Sequence, residues 1–279
     1  MAVKGKVVLV TGAARGMGRE YVRGFLREGA KIIATDLSWN PTGYSNDDFH
    51  FDEEIKSNPD AMIDVMDISI DSHVSRVYER AMETFGAVDV IINNAGMRSR
   101  ILYPNGYPDL LDTKVGDWQK LFDTHVFGSL RVIKEFTRPM LEKGRGSVIN
   151  VSSNGYDGSR ANSKEMPYQA AKAALTTMTL YLAHQLKPYG VAANVVFPGH
   201  TRTTGSDELE AARERRPGAT AGGGPIRLNP EHMVPVALFL ADQDAEGVTG
   251  QLIHAPQWNE EQGLGGIERW GYAPDLARR

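Results

Sequence analysis

The sequence predicts a single α/β domain in which helices cover both faces of a doubly wound, seven-stranded parallel sheet. Short β-branched runs alternate with longer segments of helical period, which is typical of this architecture. No internal repeat and no shift in composition divides residues 1–279 into two domains. The predicted strands are Lys6–Val10, Lys31–Thr35, Ala61–Val65, Val88–Ile92, Ser147–Val151, Val191–Val196 and Gln251–His254. The predicted helices are Gly16–Glu28, Asp71–Phe85, Asp117–Leu141, Pro167–Lys187 and Pro230–Ala241.

The composition excludes several classes of protein. The chain has 279 residues, of which 41% are hydrophobic, and its formal net charge of -4 gives no basic field for nucleic acid. The absence of cysteine excludes disulfides, thiolate catalysis and cysteine-ligated zinc, and we expect no metal site. No apolar stretch approaches the roughly 20 residues that span a bilayer, and the first apolar run ends in Thr11-Gly12 like a buried strand. We therefore expect a cytoplasmic protein without a membrane or nucleic-acid partner.

Three internal segments and the C-terminus interrupt the alternation. Residues 38–60 form a polar excursion, and residues 97–111 carry two prolines and two arginines after a strand end. Residues 203–229 are predicted to form a flexible substrate lid, although an ordinary surface loop has the same composition. Residues 255–279 form a C-terminal extension that either closes the pocket or contacts a neighbouring subunit.

A glycine-rich turn joins the first predicted strand to the first predicted helix. Its sequence is Thr11-Gly12-Ala-Ala-Arg15-Gly16-Met17-Gly18. Glycines permit a tight turn and let the backbone approach a pyrophosphate, which then meets the free amides and positive end of the helix dipole. Because the turn lies between a strand and a helix, it predicts a Rossmann-type dinucleotide site at Gly12, Arg15, Gly16, Met17 and Gly18.

An acid, Asp36, ends the second predicted strand at about the spacing where a carboxylate hydrogen-bonds the adenosine ribose. A turn or N-cap role is the alternative for this aspartate. A carboxylate about 4 Å from a 2′-phosphate is repelled by about 4 kcal/mol at an effective dielectric of about 20, which disfavours NADP. Arg15 argues for NADP, since a cation in the turn can reach that phosphate. We predict NAD, with NADP less favoured, and place Leu37 in the same site.

The motifs together resemble those of the short-chain dehydrogenase/reductase family, over nearly the whole chain from Lys6 to about His254. They are Thr11-Gly12 with Gly16-Met17-Gly18, Asn93-Asn94-Ala95-Gly96, Ser152-Ser153, Tyr168-Gln-Ala-Ala-Lys172 and Pro198-Gly199. The resemblance implies that Asp67 and Ile68 border the adenine, and that Asn93, Ala95 and Gly96 hold the cofactor beside the sheet. It also implies that Pro198, Gly199, Thr201 and Thr203 meet the nicotinamide amide. Members of the family are homo-oligomers, so we expect a tetramer or a dimer.

Tyr168 and Lys172 are four residues apart on a predicted helix, so their side chains share one face. Alcohol oxidation needs a base, and a phenol with a pKa near 10 must be brought closer to the working pH. The Lys172 ammonium and a positively charged nicotinamide stabilise the phenolate, which places Tyr168 and Lys172 in both the catalytic and the cofactor site. Ser153 ends the fifth strand, where a hydroxyl can bond the substrate oxygen. The family pattern favours it over Ser152.

The segment Phe122-Asp-Thr-His125-Val-Phe-Gly128 departs from the family pattern. The family usually has asparagine at the position of His125, where it helps to hold a water in the proton relay beyond the lysine. A neutral imidazole has one donor and one acceptor nitrogen, so it can replace that amide. His125 is therefore a candidate catalytic residue, and a structural histidine in a distorted helix is the alternative.

Residues expected at the carboxyl edge of the sheet are candidates for the substrate pocket. The segment 154–167 is longer than the family usually has and should form part of this pocket. The candidate side chains are Arg98, Arg100, Tyr103, Tyr156, Arg160, Met166, His200, Arg202 and Trp258. Aromatic and arginine residues together suggest a ring or an anionic group on the substrate, although loop arginines are usually only solvated.

The sequence thus predicts an oxidoreductase that transfers hydride between NAD(H) and a secondary alcohol or its ketone. An NADP-dependent carbonyl reductase of the same family is the nearest alternative. A cofactor-sensing protein without catalysis and a non-redox, lyase-like enzyme of the same fold are the others, and retention of Tyr168, Lys172 and Ser153 argues against the sensor.

Overall fold

The computed structural model describes residues 3–39, 53–97, 99–103, 108–159, 165–203 and 226–273. These ranges contain a parallel sheet of seven strands in the order β3-β2-β1-β4-β5-β6-β7. The strands are β1 Val7–Thr11, β2 Lys31–Asp36, β3 Ala61–Val65, β4 Val90–Asn93, β5 Gly146–Val151, β6 Val191–Phe197 and β7 Leu252–His254. The predicted fold class, a doubly wound Rossmann fold, is confirmed. The strand order reverses between β1 and β4, where such folds bind their ligands.

Helices connect the strands on both faces of the sheet. They are α1 Gly16–Arg27, α2 Glu53–Lys56, α3 Asp71–Phe85, α4 Ser99–Leu102, α5 Val115–Phe122, α6 Ser129–Phe136, α7 Arg138–Lys143, α8 Met166–Leu186, α9 Val234–Ala241, α10 Ala255–Glu261 and α11 Ile267–Trp270. Short 3-10 helices occur at Leu110–Asp112, Lys187–Tyr189 and Pro230–Met233. None of the helices in the described ranges is long and apolar enough to cross a membrane.

The single helix predicted over 117–141 is wrong. A π-helical segment, Asp123–Gly128, lies between α5 and α6 and contains His125. A new helix, α7, begins at Arg138, because Pro139 has no amide hydrogen with which to continue the preceding helix. The predicted helix over 230–241 likewise begins as a 3-10 turn before it becomes α9.

The sheet carries a separate apolar core on each face. Val8 and Val10 of β1 belong to the core that α1 and α9 cover. Val7 and Leu9 of the same strand belong to the opposite core, which α3, α6 and α8 cover. Burying an aliphatic side chain of this size contributes about 1.5–3 kcal/mol to the free energy of folding. The two cores therefore stabilise the sheet that carries the loops of the site.

Candidate active site

The glycine turn at the carboxyl end of β1 has the geometry that a dinucleotide requires. Gly12 and Gly16 have φ angles of 67° and 53°, in the left-handed region that favours glycine. A Cβ on Gly18 would clash with the Gly12 carbonyl oxygen, so a larger residue would push α1 away from the strand. Over Gly16, the nearest described atom to an added Cβ is Thr203 Cγ2 at 3.9 Å. Among the described residues, little else lies over Gly16 at the N-terminus of α1, where the pyrophosphate is expected.

Asn94 holds this turn in place, a role that the sequence reasoning missed. Its Nδ2 donates to the carbonyl oxygens of Thr11 and Gly12, both at 3.0 Å. The Thr11 hydroxyl accepts hydrogen bonds from the backbone amides of Asn94 and Ala95. The Asn93 side chain is buried instead between strands, where its Nδ2 donates to Asn150 Oδ1 at 2.8 Å. Asn93 can therefore meet a cofactor only through its backbone.

Asp36 stands at the end of β2 beside the glycine turn. Its Oδ2 accepts from the Ala14 amide at 2.9 Å and its Oδ1 from the Leu37 amide at 2.7 Å. Burial raises the pKa of Asp36, while these amides and the nearby Arg15 cation oppose that rise. Each carboxylate oxygen has a further lone pair, so both remain able to accept a ribose hydroxyl.

The other predicted cofactor residues occupy the same end of the sheet. Asp67 Oδ1 accepts from the Ser69 amide and hydroxyl at 2.9 and 2.7 Å, which shapes the loop after β3. Ile68 is buried, and a Cβ on Gly128 would meet its side chain. Met17 is partly buried and packs against the apolar core, so its side chain anchors the glycine turn to that core.

Tyr168 and Lys172 of α8 lie beside the carboxyl end of β5, which Ser153 follows by two residues. Lys172 is buried, and its Nζ donates to the Val151 carbonyl oxygen at 2.7 Å. The same Nζ lies 6.0 Å from the centroid of the Tyr168 ring. Burial lowers the pKa of Lys172 to about 7. The Ser152 hydroxyl is committed to the Lys172 carbonyl oxygen at 3.1 Å, which supports the choice of Ser153 as the serine that meets substrate.

His125 lies against this group. Its ring makes an edge-to-face contact with Tyr168, with the centroids 5.2 Å apart, and its Nε2 lies 3.1 Å from the Met97 carbonyl oxygen. That carbonyl can only accept, so Nε2 carries the hydrogen and Nδ1 is an acceptor. Nδ1 is buried and has no partner among the described residues. Burial lowers the pKa of His125 well below its ordinary value, and the Lys172 cation lowers it further.

The turn after β6, residues 198–201, is held by its own Thr201 and by two residues that the sequence reasoning did not select, Asn154 and His232. The Pro198 carbonyl oxygen accepts from the Thr201 hydroxyl at 2.7 Å and lies 3.0 Å from Nε2 of the buried His232. The Gly199 amide donates to Asn154 Oδ1 at 2.9 Å. We call residues 198–201 the β6 turn. No local signal in the sequence marks Asn154 or His232, because their partners lie far away along the chain.

The residues predicted to line the substrate pocket have different environments in the structure. Arg98 and Arg160 lie outside the described residues, as does the side chain of Arg100. Tyr156 stacks on Phe197, whereas Trp258 packs on Phe239 and the apolar core. Tyr103 is buried, whereas Met166, the first residue of α8, and His200, in the β6 turn, are exposed. The pocket role of Trp258 stays a prediction; the ring of this residue, on α10, packs partly buried against Phe239 and the core.

The C-terminal extension packs onto its own chain beside the β6 turn. The Asn229 amide donates to the Trp270 carbonyl oxygen and the Tyr272 amide to the Arg227 carbonyl oxygen, at 2.7 and 2.8 Å. The Arg202 guanidinium lies 4.3 Å from the Tyr272 ring centroid. Most of the predicted lid, residues 204–225, lies outside the described residues, and the lid stays a prediction.

The parallel sheet, its switch point and the glycine turn define the class of this protein: it is a Rossmann-fold protein built to bind a dinucleotide. Sequence comparisons identify the family. The sequence model for short chain dehydrogenase matches residues 6–214. The chain belongs to the short-chain dehydrogenase/reductase family, and it is therefore an oxidoreductase that uses a nicotinamide cofactor.

Individual relatives span almost the whole chain. A fluoren-9-ol dehydrogenase from Terrabacter sp. (strain DBF63) is 40% identical over 278 residues, which cover 96% of this chain and 75% of that protein. The 3-oxoacyl-(acyl-carrier-protein) reductase FabG of Salmonella typhimurium is 30% identical over 259 residues, covering 91% of this chain and 97% of that protein. A hydroxy(phenyl)methylsuccinyl-CoA dehydrogenase subunit, BbsD, from Thauera aromatica is 27% identical over 259 residues, covering 91% and 96%.

Proposed function

We propose that this enzyme transfers hydride between NAD(H) and a secondary alcohol or its ketone, with Tyr168 as general base or acid assisted by Lys172 and Ser153. The observation that carries the proposal is the buried Lys172 Nζ, which donates to the Val151 carbonyl oxygen and lies 6.0 Å from the Tyr168 ring. An ammonium in that position favours the phenolate over the phenol. Because a phenolate in turn favours the ammonium, the two groups titrate as a pair.

The cofactor and the protein supply different parts of the reaction. A bound nicotinamide would supply the acceptor for the hydride of the carbinol carbon, and the glycine turn and Asp36 would hold the nucleotide. The Ser153 hydroxyl, at the carboxyl end of β5, holds the substrate oxygen. Tyr168 takes the hydroxyl proton during oxidation and returns it during reduction. NAD is preferred over NADP because the Asp36 carboxylate, fixed by the amides of Ala14 and Leu37, repels a 2′-phosphate.

The proposed substrate is a secondary alcohol that carries aromatic rings. The fluoren-9-ol dehydrogenase relative is named for such an alcohol. In this chain Tyr156, three residues after Ser153, stacks on Phe197 with the ring centroids 4.6 Å apart. A rigid aromatic surface close to the catalytic serine favours a flat ring system by offset stacking, which is worth about 0.5–1.5 kcal/mol per pair.

Incubation with fluoren-9-ol tests the function. We expect NAD to be reduced, measured by the near-ultraviolet absorbance of NADH, and NADP to be reduced more slowly. The matched control is 9-methylfluoren-9-ol, which has the same rings but no carbinol hydrogen and should give no signal. A preference for NADP would favour the carbonyl reductase alternative. Binding of NAD without oxidation of any alcohol in a panel would favour the lyase-like or cofactor-sensing alternative.

His125 completes the proposed proton relay as a neutral acceptor. Its pKa lies well below the ordinary value, so it does not titrate near neutral pH. Its buried Nδ1 lone pair can accept a hydrogen bond from the relay beyond Lys172, directly or through a water. That bond stabilises the Lys172 ammonium, and the ammonium in turn stabilises the phenolate of Tyr168.

Two variants at position 125 separate this role from packing. His125→Asn and His125→Leu both lose the ring contact with Tyr168, but only asparagine keeps an acceptor. We expect His125→Asn to retain the parent pH–rate profile and His125→Leu to lower kcat by about tenfold, the cost of one hydrogen bond. Without the acceptor the ammonium is less stable, so the phenol pKa rises and the acid limb of alcohol oxidation moves to higher pH. Identical profiles for the two variants would contradict the role.

The quaternary structure and location remain predictions. Val115, Phe127 and Tyr181 are exposed apolar or aromatic side chains on α5, the π-helical segment and α8. They support the expected homo-oligomer, a tetramer or a dimer, because a second copy would cover them. The cytoplasmic location also stays a prediction.

A further inference from the structure

The side-chain amide of Asn154 joins three neighbouring strand ends. Asn154 follows Ser153 after β5, its Oδ1 accepts from the Gly199 amide after β6 at 2.9 Å, and its Nδ2 lies 3.3 Å from Nδ1 of His254 at the end of β7. The pairs are 45 and 100 residues apart in the chain. One amide therefore connects the loop of the catalytic serine to the β6 turn and to the last strand.

The chemistry of the partners fixes the direction of both hydrogen bonds. A backbone amide can only donate, so the Asn154 atom facing Gly199 must be the oxygen. Nδ2 then faces His254, whose Nδ1 must accept and whose hydrogen is on Nε2. If the His254 acceptor were absent, the Asn154 amide would lose one of the two contacts that hold its orientation.

The His254 imidazole is itself held by stacking. Its ring lies 4.7 Å from the Phe197 centroid with the planes 27° apart. Tyr156 stacks on Phe197 at 4.6 Å and 14°. The Asn154 carbonyl oxygen also accepts from the Ser159 hydroxyl at 3.0 Å, which closes the loop that carries Tyr156. The imidazole is thus placed by aromatic contacts and is available as a fixed acceptor.

The peptide between Pro198 and Gly199 is anchored at both of its polar atoms. Its oxygen accepts from the Thr201 hydroxyl, and its N–H donates to Asn154. Gly199 has a φ angle of 67°, and a Cβ there would lie 2.8 Å from Pro256 Cγ, so this position favours glycine and no side chain helps to hold the peptide. Loss of the Asn154 bond would free the N–H end and let the peptide plane rotate.

We propose that Asn154 and His254 form a positioning pair that holds the Pro198–Gly199 peptide at a fixed position relative to Ser153. The pair fixes the distance between the β6 turn, where the nicotinamide is expected, and the serine that holds the substrate oxygen. The proposal gives neither residue a contact with the reacting atoms. The inference rests on the proposed dehydrogenase function for its effect on turnover, but its effect on cofactor affinity requires no substrate.

Substitutions at both positions test the pair through NADH affinity, measured by fluorescence titration, and through kcat. We expect Asn154→Leu to weaken NADH binding by about tenfold and to lower kcat with a smaller change in the alcohol KM, because an amide N–H is left unpaired. His254→Phe keeps a stacking ring and removes the acceptor, and we expect about a threefold loss. His254→Gln loses the ring but offers an acceptor, and it should bind NADH more tightly than His254→Phe.

The double variant Asn154→Leu with His254→Phe decides whether the residues act together. We expect it to bind NADH as weakly as Asn154→Leu alone, since the second change removes a contact already lost. Multiplied effects, or tighter binding by His254→Phe than by His254→Gln, would overturn the proposal. Gln257→Ala on α10, which removes only an exposed bond to Glu261, serves as the control.

The NADH-affinity measurements distinguish failure of the positioning pair from failure of the proposed function. If Asn154→Leu does not fold, the order of His254→Phe and His254→Gln still decides between an acceptor and a packing role. If the parent binds NADH but oxidises no alcohol, the dehydrogenase proposal fails, and the affinity series still supports or overturns the positioning pair.

Discussion

Tyr168→Phe is expected to lower kcat for alcohol oxidation by about 10²–10⁴-fold, which is the usual contribution of a general base. The phenylalanine ring keeps the edge-to-face contact with His125, so α8 and its surroundings stay in place. Only the oxygen that takes the hydroxyl proton is lost. Steady-state reduction of NAD measures kcat, and NADH fluorescence should report an unchanged cofactor affinity.

The same helix provides a control for this substitution. Tyr181 lies on α8 with an exposed side chain, and Tyr181→Phe should leave kcat at the parent value. If Tyr168→Phe turned over the alcohol as fast as the parent, another group would have to take the proton, and the role of the phenol would be wrong. A loss of NADH binding in Tyr168→Phe would instead indicate damage to the site as a whole.

The fold could be predicted because its strands and turns leave local signals. Every residue of β1 is buried, as expected for a parallel strand covered on both faces, and the glycine turn follows it directly. The π-helical segment leaves no such signal, because tertiary packing sets it. The His125 ring fills the space where a Cβ on Gly96 would lie, and Gly128 makes room for Ile68. The periodicity of 117–141 alone therefore predicts one continuous helix.

Contacts in the candidate site could be predicted from the sequence where both residues lie on one helix. They could not be predicted where the residues lie on different strands or loops. Tyr168 and Lys172 are one helical turn apart, so spacing alone brings their side chains together. Asn154, Gly199 and His254 meet only because β5, β6 and β7 are neighbours in a particular register, which pairs Phe197 with His254. Local patterns in the sequence do not determine that register, so the contacts of Asn154 could not be predicted from the sequence.

Asp36→Asn is expected to change the cofactor preference by more than about tenfold towards NADP, measured as the ratio of kcat/KM for the two cofactors. The substitution keeps the shape of the side chain and an oxygen for the Ala14 amide, but it removes the charge and the oxygen that accepts from the Leu37 amide. Repulsion of about 4 kcal/mol at about 4 Å is an upper figure, since water reduces it, and half of it still corresponds to more than tenfold.

The size of this change in cofactor preference depends on Arg15. Its cation acts on the Asp36 carboxylate in the folded protein, and in Asp36→Asn a 2′-phosphate would replace that carboxylate as the nearby anion. Adding Arg15→Gln to Asp36→Asn should therefore remove much of the gain with NADP. Asp64→Asn, on the adjacent β3 with its carboxylate bound to Arg76 and Arg80, is the control and should leave the preference unchanged. If the parent already preferred NADP, or if Asp36→Asn left the ratio unaltered, Asp36 would hold only the glycine turn and the choice of cofactor would belong to Arg15.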